Sequence, residues 1–255
     1  MNTPTPRFFR GDIWRIETNK GVELGLIISN NIGNKSGPII RVARVTEWNE
    51  EKTHKKLSTQ AIYYPTKNNG SDKPLLVCFE QQMTYAKERM LIKVETAKRL
   101  NLDYYLRLIY IPDALDGEAF PNYHTGIKQF ESYHLEVDEV AGSEQNGNRI
   151  VYVISNNVLN DAGYVTVVPI TAQPKQKMPT HVFLPRKKVG LAKNSNFLAE
   201  HARTLSLIEF MRAEKRSDLP KEYHKASLEA VFISTAKTED VLNKIAKSKK
   251  GMRNA

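Results

Sequence analysis

The chain has 255 residues, of which 40% are apolar and 26% charged, with a single cysteine and a formal net charge of +10. That length fits one large domain or two small ones, and the composition is that of a folded protein, not a disordered one. No run approaches the roughly 18 apolar residues of a membrane-spanning helix, the opening MNTPTPRFFRGD has no apolar stretch of signal-peptide length, and a lone Cys78 in LLVCF cannot form an internal disulfide, so the expectation is a cytoplasmic protein without a membrane partner.

In chain order, RGDIWRIE (10–17) alternates apolar and polar residues at the period of a half-buried strand, and IISNN (27–31) closes the apolar run that follows. GPIIRVARVT (37–46) is a β-branched strand ending in threonine, and LLVCFEQQMT (75–84) is a further strand. TAKRLNLDYYLRLIY (96–110) has helical spacing, with Ala97, Leu100, Tyr104 and Leu108 along one face. IPDALDGEAFPNYHTG (111–126) is rich in Pro, Gly and acidic residues and has the composition of a connector. The plan then starts again. FESYHLEV (130–137) alternates, VISNN (153–157) repeats the earlier pentapeptide, GYVTVVPIT (163–171) ends in threonine, and NFLAEHART (196–204) shares with the earlier strand a Glu followed four positions later by Thr. SDLPKEYHKASLEAVFIST (217–235) is a second terminal helix, with Ser and Asp as capping candidates and a first-turn proline.

Four ordered matches at nearly constant spacing indicate a tandem duplication: residues 8–110 form one β-rich unit with a terminal helix, 111–129 a linker, 130–236 the second unit, and 237–255 a basic tail. Both units share the positive charge, with 18 Lys/Arg against 14 Asp/Glu in residues 1–120 and 20 against 14 in 121–255. A basic protein attracts polyanions, which makes nucleic acid a natural partner. No Cys/His set has zinc spacing, and neither GxxxxGK[ST] nor G-x-S-x-G occurs, so neither a metal nor another cofactor is expected.

The second unit carries a Gly-rich loop GSEQNGNR, strands ending in SNN and PIT, then PTHVFL, GL and AEHART. In that order these elements resemble the MazF/PemK/Kid family of toxin ribonucleases from toxin–antitoxin systems, with His201 where the family has glutamine. The first unit resembles it more weakly through RGDIW, IISNNIGN and FEQQMTYAKERM. The resemblance implies two SH3-like β-barrels, each with a C-terminal helix, in a mainly β, α+β chain. It also implies an antitoxin protein as a partner. Since family members work as homodimers with RNA in a groove at the interface, two units on one chain are expected to pack as an intramolecular pseudo-dimer, and linkage holds the second unit at millimolar effective concentration.

RNA supplies its own nucleophile, the 2′-hydroxyl, so an enzyme that orients it and neutralises the phosphoryl oxygens requires no metal. The planar guanidinium fork suits the second task. Carried over residue by residue, the family's catalytic arginine and threonine fall on Arg149 and Thr171, although Ile150 stands where the family has proline after the arginine. Single-stranded RNA such as mRNA is the implied substrate, with Asn148, Lys175, Lys177, His181, Arg186 and Lys187 as candidate contacts and Trp48, Tyr164 and Phe183 as aromatics for stacking. The first unit has Glu23 at the arginine position and retains Thr46, a degenerate counterpart in which Arg41 or Arg44 is the substitute guanidinium to consider. Two alternatives stay open: a binding module that holds nucleic acid or antitoxin without cutting, and a gyrase-directed toxin of CcdB type.

Overall fold

The structure, a computed structural model, describes residues 7–49, 56–66, 73–137, 147–210 and 213–240. The first half contains β1 (Asp12–Thr18), β2 (Gly21–Ile27), α1 (Asn31–Ser36), β3 (Ile39–Glu47), β4 (Gln60–Tyr63), β5 (Leu75–Ala86), β6 (Met90–Thr96) and α2 (Leu102–Tyr110). Its six strands form one antiparallel sheet in the order β4-β5-β3-β2-β1-β6. The second half contains β7 (Ser132–Val137), β8 (Gly147–Val153), α3 (Asn157–Asp161), β9 (Val165–Thr171), β10 (His181–Leu184), α4 (Arg186–Val189), β11 (Ser195–Leu198), β12 (Arg203–Leu205), α5 (Leu207–Phe210), β13 (Glu214–Lys215) and α6 (Lys221–Thr235). Here the order is β10-β11-β9-β8-β7-β13, with β12 also on β9. Both strand paths remain open among the described residues, so the expected closed barrels are not what the recorded pairings form.

The two sheets have corresponding registers. Ile27 faces Val42 and Val42 faces Met83 in the first, while Val153 faces Val167 and Val167 faces Arg203 in the second. Further along, Ala61–Val77–Val45 across three strands answers to Val182–Phe197–Ile170. The long β5 is matched by β11 and β12 with a 3-10 turn, Ala199–His201, between them.

The repeated Ser-Asn-Asn has a physical explanation. Asn30 and Asn156 are N-caps whose side-chain oxygens accept from Gly33 N and Leu159 N, the usual role of asparagine at a helix start. Behind them Ser29 Oγ donates to Asn34 Oδ1 and Ser155 Oγ to Asn160 Oδ1, both at 2.6 Å. The cap side chains then reach across the molecule. Asn30 Nδ2 donates to Ile233 O at 2.8 Å and Asn30 N to Ser234 O at 2.9 Å, at the end of α6. Asn156 Nδ2 donates to Leu108 O at 2.5 Å and Asn156 N to Ile109 O at 2.9 Å, at the end of α2. Each helix thus leaves its orphan terminal carbonyls to the Asn of the opposite half.

Other contacts join the halves. Thr204 Oγ1 donates to Glu80 O at 2.8 Å, and Thr84 Oγ1 to Ala202 O at 2.9 Å. Ile28, Phe79 and Leu106 share one buried apolar cluster with Tyr152, Phe197 and Val231. Arg41 is 1% exposed and donates to Gln82 and Tyr110 of its own half and to Ala199 O and Ser234 Oγ of the other. Burial lowers its pKa. The connector is packed as well: Leu115 is buried in the shared cluster, and Gln129 Nε2 donates to both Tyr110 O and Ile154 O.

Both helix expectations need correction. The first helix begins at Leu102, since Thr96 ends β6 paired with Asp12 and Asn101 accepts from Tyr104 N. Its buried face is Leu102, Leu106, Ile109 and Tyr110, with Tyr104 half exposed. At α6 the N-cap is Pro220, without a side-chain cap bond; Ser217 instead donates to Val189 O. No helix among the described residues is long and apolar enough to cross a membrane.

Candidate active site

Arg149 lies on β8 opposite Leu135. The β8–β9 register pairs Val153 with Val167, Tyr152 with Val168 and Val151 with Pro169 and ends there; Arg149 follows two residues beyond on β8, and Thr171 two residues beyond on β9, where it faces Asn196 of β11. Half-buried, the Arg149 guanidinium has its pKa lowered by burial, and Thr171 is 8% exposed with Oγ1 accepting from Gln173 N at 3.2 Å. In the first half the β2–β3 pairing ends at Leu24 with Val45, and Glu23 faces Ile16 of β1 as Arg149 faces Leu135 of β7. The substitution of carboxylate for guanidinium thus falls on matching register positions. The β1–β2 turn is only Asn19–Lys20, with Gly21 at φ 110°, whereas residues 138–146 separate β7 from β8. Most of the Gly-rich loop lies outside the described residues, as does the tail from 241.

A carboxylate with two histidines stands beside Arg149. His181 Nε2 is 2.7 Å from Glu200 Oε1, with the two side chains 7% and 23% exposed. His181 Nδ1 is 3.0 Å from Gln176 O, which fixes the ring from its other edge. Burial raises the Glu200 pKa, but the His181 hydrogen bond, the electrostatic influence of the neighbouring histidines and a backbone hydrogen bond outweigh it, and the carboxyl ends below its ordinary value. His201 is pushed down to about 4, chiefly by burial, with Lys175, His181 and Arg149 adding positive charge against it. It is therefore neutral at pH 7. Glu200 Oε2, His201 Nδ1 and Thr180 Oγ1 are buried with no hydrogen-bond partner. The first half fills the equivalent place differently: Glu80 is fully buried and accepts from Thr59 at 3.0 Å and Gln60 at 2.7 Å, and desolvation raises its pKa. Gln60 and His181 hold corresponding register positions, facing Cys78 and Leu198. Hence the carboxyl of one half is held by a hydroxyl and an amide and that of the other by an imidazole.

A cavity of about 560 Å³ runs between the halves. The first half contributes Glu23, Arg44 and Gln81, and the second Tyr164, Arg203 and Glu209. Arg203 starts β12, two residues along the chain from His201 at the end of the 3-10 turn, and so stands at the groove while His201 belongs to the cluster around Arg149. Arg149 itself does not line it.

The candidate contacts divide. Lys175 and His181 join the Arg149 cluster, and Asn148 and Lys177 are exposed near it in sequence. Arg186 and Lys187 sit on α4 beyond the far end of β10, roughly 10 Å of strand away from His181. Arg41 is sealed inside, which removes it as a substitute guanidinium, while Arg44 is half exposed in the groove. Tyr164 lines the groove, Phe183 is 56% exposed, and Trp48 Nε1 is buried. From sequence, His181 and His201 suit structural or RNA-contacting roles and Glu200, matched by Glu80, an architectural one; the spacing of PTHVF and AEHART gives no sign that His181 meets Glu200, in the 3-10 turn after β11.

A family model described as PemK-like, MazF-like toxin of type II toxin–antitoxin systems matches residues 128–235. Endoribonuclease EndoA of Bacillus subtilis (strain 168) is 40% identical over 81 residues, 31% of this chain and 70% of that protein. Among solved structures, MazF (Form-I) from Deinococcus radiodurans is 25% identical, covering 42% of this chain and 93% of its own, with a TM-score of 0.35. An endoribonuclease solved in complex with its cognate antitoxin from a mycobacterial species is 18% identical, covering 38% and 86%, with a TM-score of 0.32.

Proposed function

Because the chain belongs to the PemK/MazF-like toxin family, whose match spans residues 128–235, we propose that it is a toxin-like endoribonuclease that cuts single-stranded RNA, with its active site in the second half. The two halves are read as a tandem duplication packed as an intramolecular pseudo-dimer. The corresponding registers and the exchanged Asn–helix contacts support that reading.

The reaction is metal-independent transphosphorylation. The RNA 2′-oxygen attacks the adjacent phosphorus and loses its proton, the P–O5′ bond breaks, and the products end in a 2′,3′-cyclic phosphate and a 5′-hydroxyl that has gained a proton. Arg149 neutralises charge developing on the phosphoryl oxygens, and its permanent charge suits it for that and not for proton transfer. Thr171 offers a hydroxyl at the end of the neighbouring strand. Glu200 Oε2 is buried and both ring nitrogens of His181 are engaged, so in this reading the couple holds the surroundings of Arg149 in place and the 2′ proton passes to solvent. The observation that carries the proposal is the place of Arg149 on β8, next to the strand that ends in Thr171 and within electrostatic reach of His201 beside the Glu200–His181 couple. An antitoxin partner follows from the family's description.

The test uses the full chain, EDTA and an end-labelled single-stranded RNA alongside a copy with one 2′-deoxynucleotide at the cleavage position. The expected result is cleavage of the first and protection of the second at that position. RNA binding without shortening would replace the nuclease reading with that of a binding module.

A further inference from the structure

The second half places Arg149 where the first has Glu23, yet Glu23 is not an idle negative charge. Its Oε1 lies 3.9 Å from Arg44 Nη2, and Arg44 Nη1 donates to Gln81 Oε1 at 3.3 Å. All three side chains line the inter-half groove, and Tyr164 of the other half faces the same space. Glu23 and Arg44 are 32% and 48% exposed, and an ion pair so long and so wet holds its partners weakly. Both groups can therefore turn to a ligand at little cost.

We propose that Glu23, Arg44 and Gln81 form a base-reading subsite that takes guanine from the RNA strand, with Tyr164 as the stacking surface. This rests on the endoribonuclease reading and deepens it by naming what one subsite recognises. A carboxylate repels a phosphate but accepts two hydrogen bonds side by side. Guanine offers N1–H and N2–H as adjacent donors on one edge, with O6 and N7 next to them as acceptors for a guanidinium fork. Unpaired bases present those edges in single-stranded RNA, usually stacked on an aromatic ring. Arg203, also lining the groove, is two residues along the chain from His201, whose charged neighbours include Arg149. One half would then cut while the other reads a base at a fixed distance from the cut.

The experiment sequences the cleavage ends from a randomised RNA pool treated with the wild type, Glu23→Gln and Arg44→Gln, each checked for folding by thermal melting. Alongside it, binding of a non-cleavable 2′-deoxy oligonucleotide is measured with guanine or inosine, which lacks the N2 amino group. The wild type should favour guanine at one position by about ten-fold or more, the scale of a bidentate contact, and bind inosine several-fold more weakly. Both preferences should fall below about three-fold in Glu23→Gln. Wild-type cleavage indifferent to guanine, a preference for another base, or a guanine preference that survives Glu23→Gln would overturn the subsite. Guanine-selective binding that depends on Glu23, without any shortening of RNA, would sustain the subsite and remove the nuclease reading.

Discussion

Replacing Asn30 by aspartate separates the two tasks of that side chain. As an N-cap, Asp is as good as Asn, so the bond from Gly33 N at 2.7 Å survives. The Nδ2 donor to Ile233 O is lost, which costs about 1 kcal/mol for a hydrogen bond of this type. A carboxylate then faces the negative end of the α6 dipole, for about another 1 kcal/mol. The variant should be about 2 kcal/mol less stable than the wild type, and Asn156→Asp should behave alike through Leu108 O. Urea denaturation reads this as a fall in midpoint with an unchanged slope and a single transition, since the halves share one apolar cluster. If Asn30→Asp matches the wild type, the bond across the halves contributes nothing and the account of the repeated motif is wrong. Two separate transitions would equally refute a single cooperative unit.

Burial of His201 gives a pH prediction. Its folded value of about 4 lies below the ordinary 6.5, so the unfolded chain takes up the proton first as pH falls; stability is full above about pH 7 and is lost progressively between 6.5 and 4. The linkage amounts to about 2 kcal/mol between pH 7 and pH 5. His201→Gln should flatten that dependence in melts at the two pH values, and an equal loss in both proteins would exclude His201 as its source. Gly25→Ala should destabilise by about 1–3 kcal/mol, because a Cβ there would stand 2.5 Å from Ile16 Cδ1 and 3.0 Å from Val42 Cγ2; an unchanged melting temperature would mean that Ile16 moves aside freely.

Strand positions were legible because β-branched alternation survives in both halves. The span 37–46 became Ile39–Glu47 and 163–171 became Val165–Thr171. The corresponding strand positions of Glu23 and Arg149, facing Ile16 and Leu135, were legible too, since the order of residues is kept even where the loop lengths differ. Helix starts were not. Thr96 to Leu100 fit the helical period, yet pairing of β6 with β1 and the Asn101 cap decided the boundary, a tertiary preference that no local pattern records. The Glu200–His181 couple joins residues 19 apart, one on β10 and the other in the 3-10 turn after β11, and a similar Glu80–Gln60 contact in the first half carries no titratable partner. Chemistry that depends on such pairing appears only once the register is known. The buried Arg41 was hidden for a related reason: an arginine in a β-branched strand reads as an edge or surface residue, but two helix ends and Gln82 enclose it.

The role proposed for the Arg149 guanidinium is at the scissile phosphate. Single-turnover cleavage of a short RNA by Arg149→Ala, at saturating protein and in EDTA, measures that contribution directly. The rate should fall by about 10²–10³-fold, the scale of removing one donor to a developing oxyanion, while the melting temperature and RNA affinity change little. Cleavage at the wild-type rate by Arg149→Ala, with loss of activity in Arg44→Ala instead, would move the active site to the first half and contradict the account.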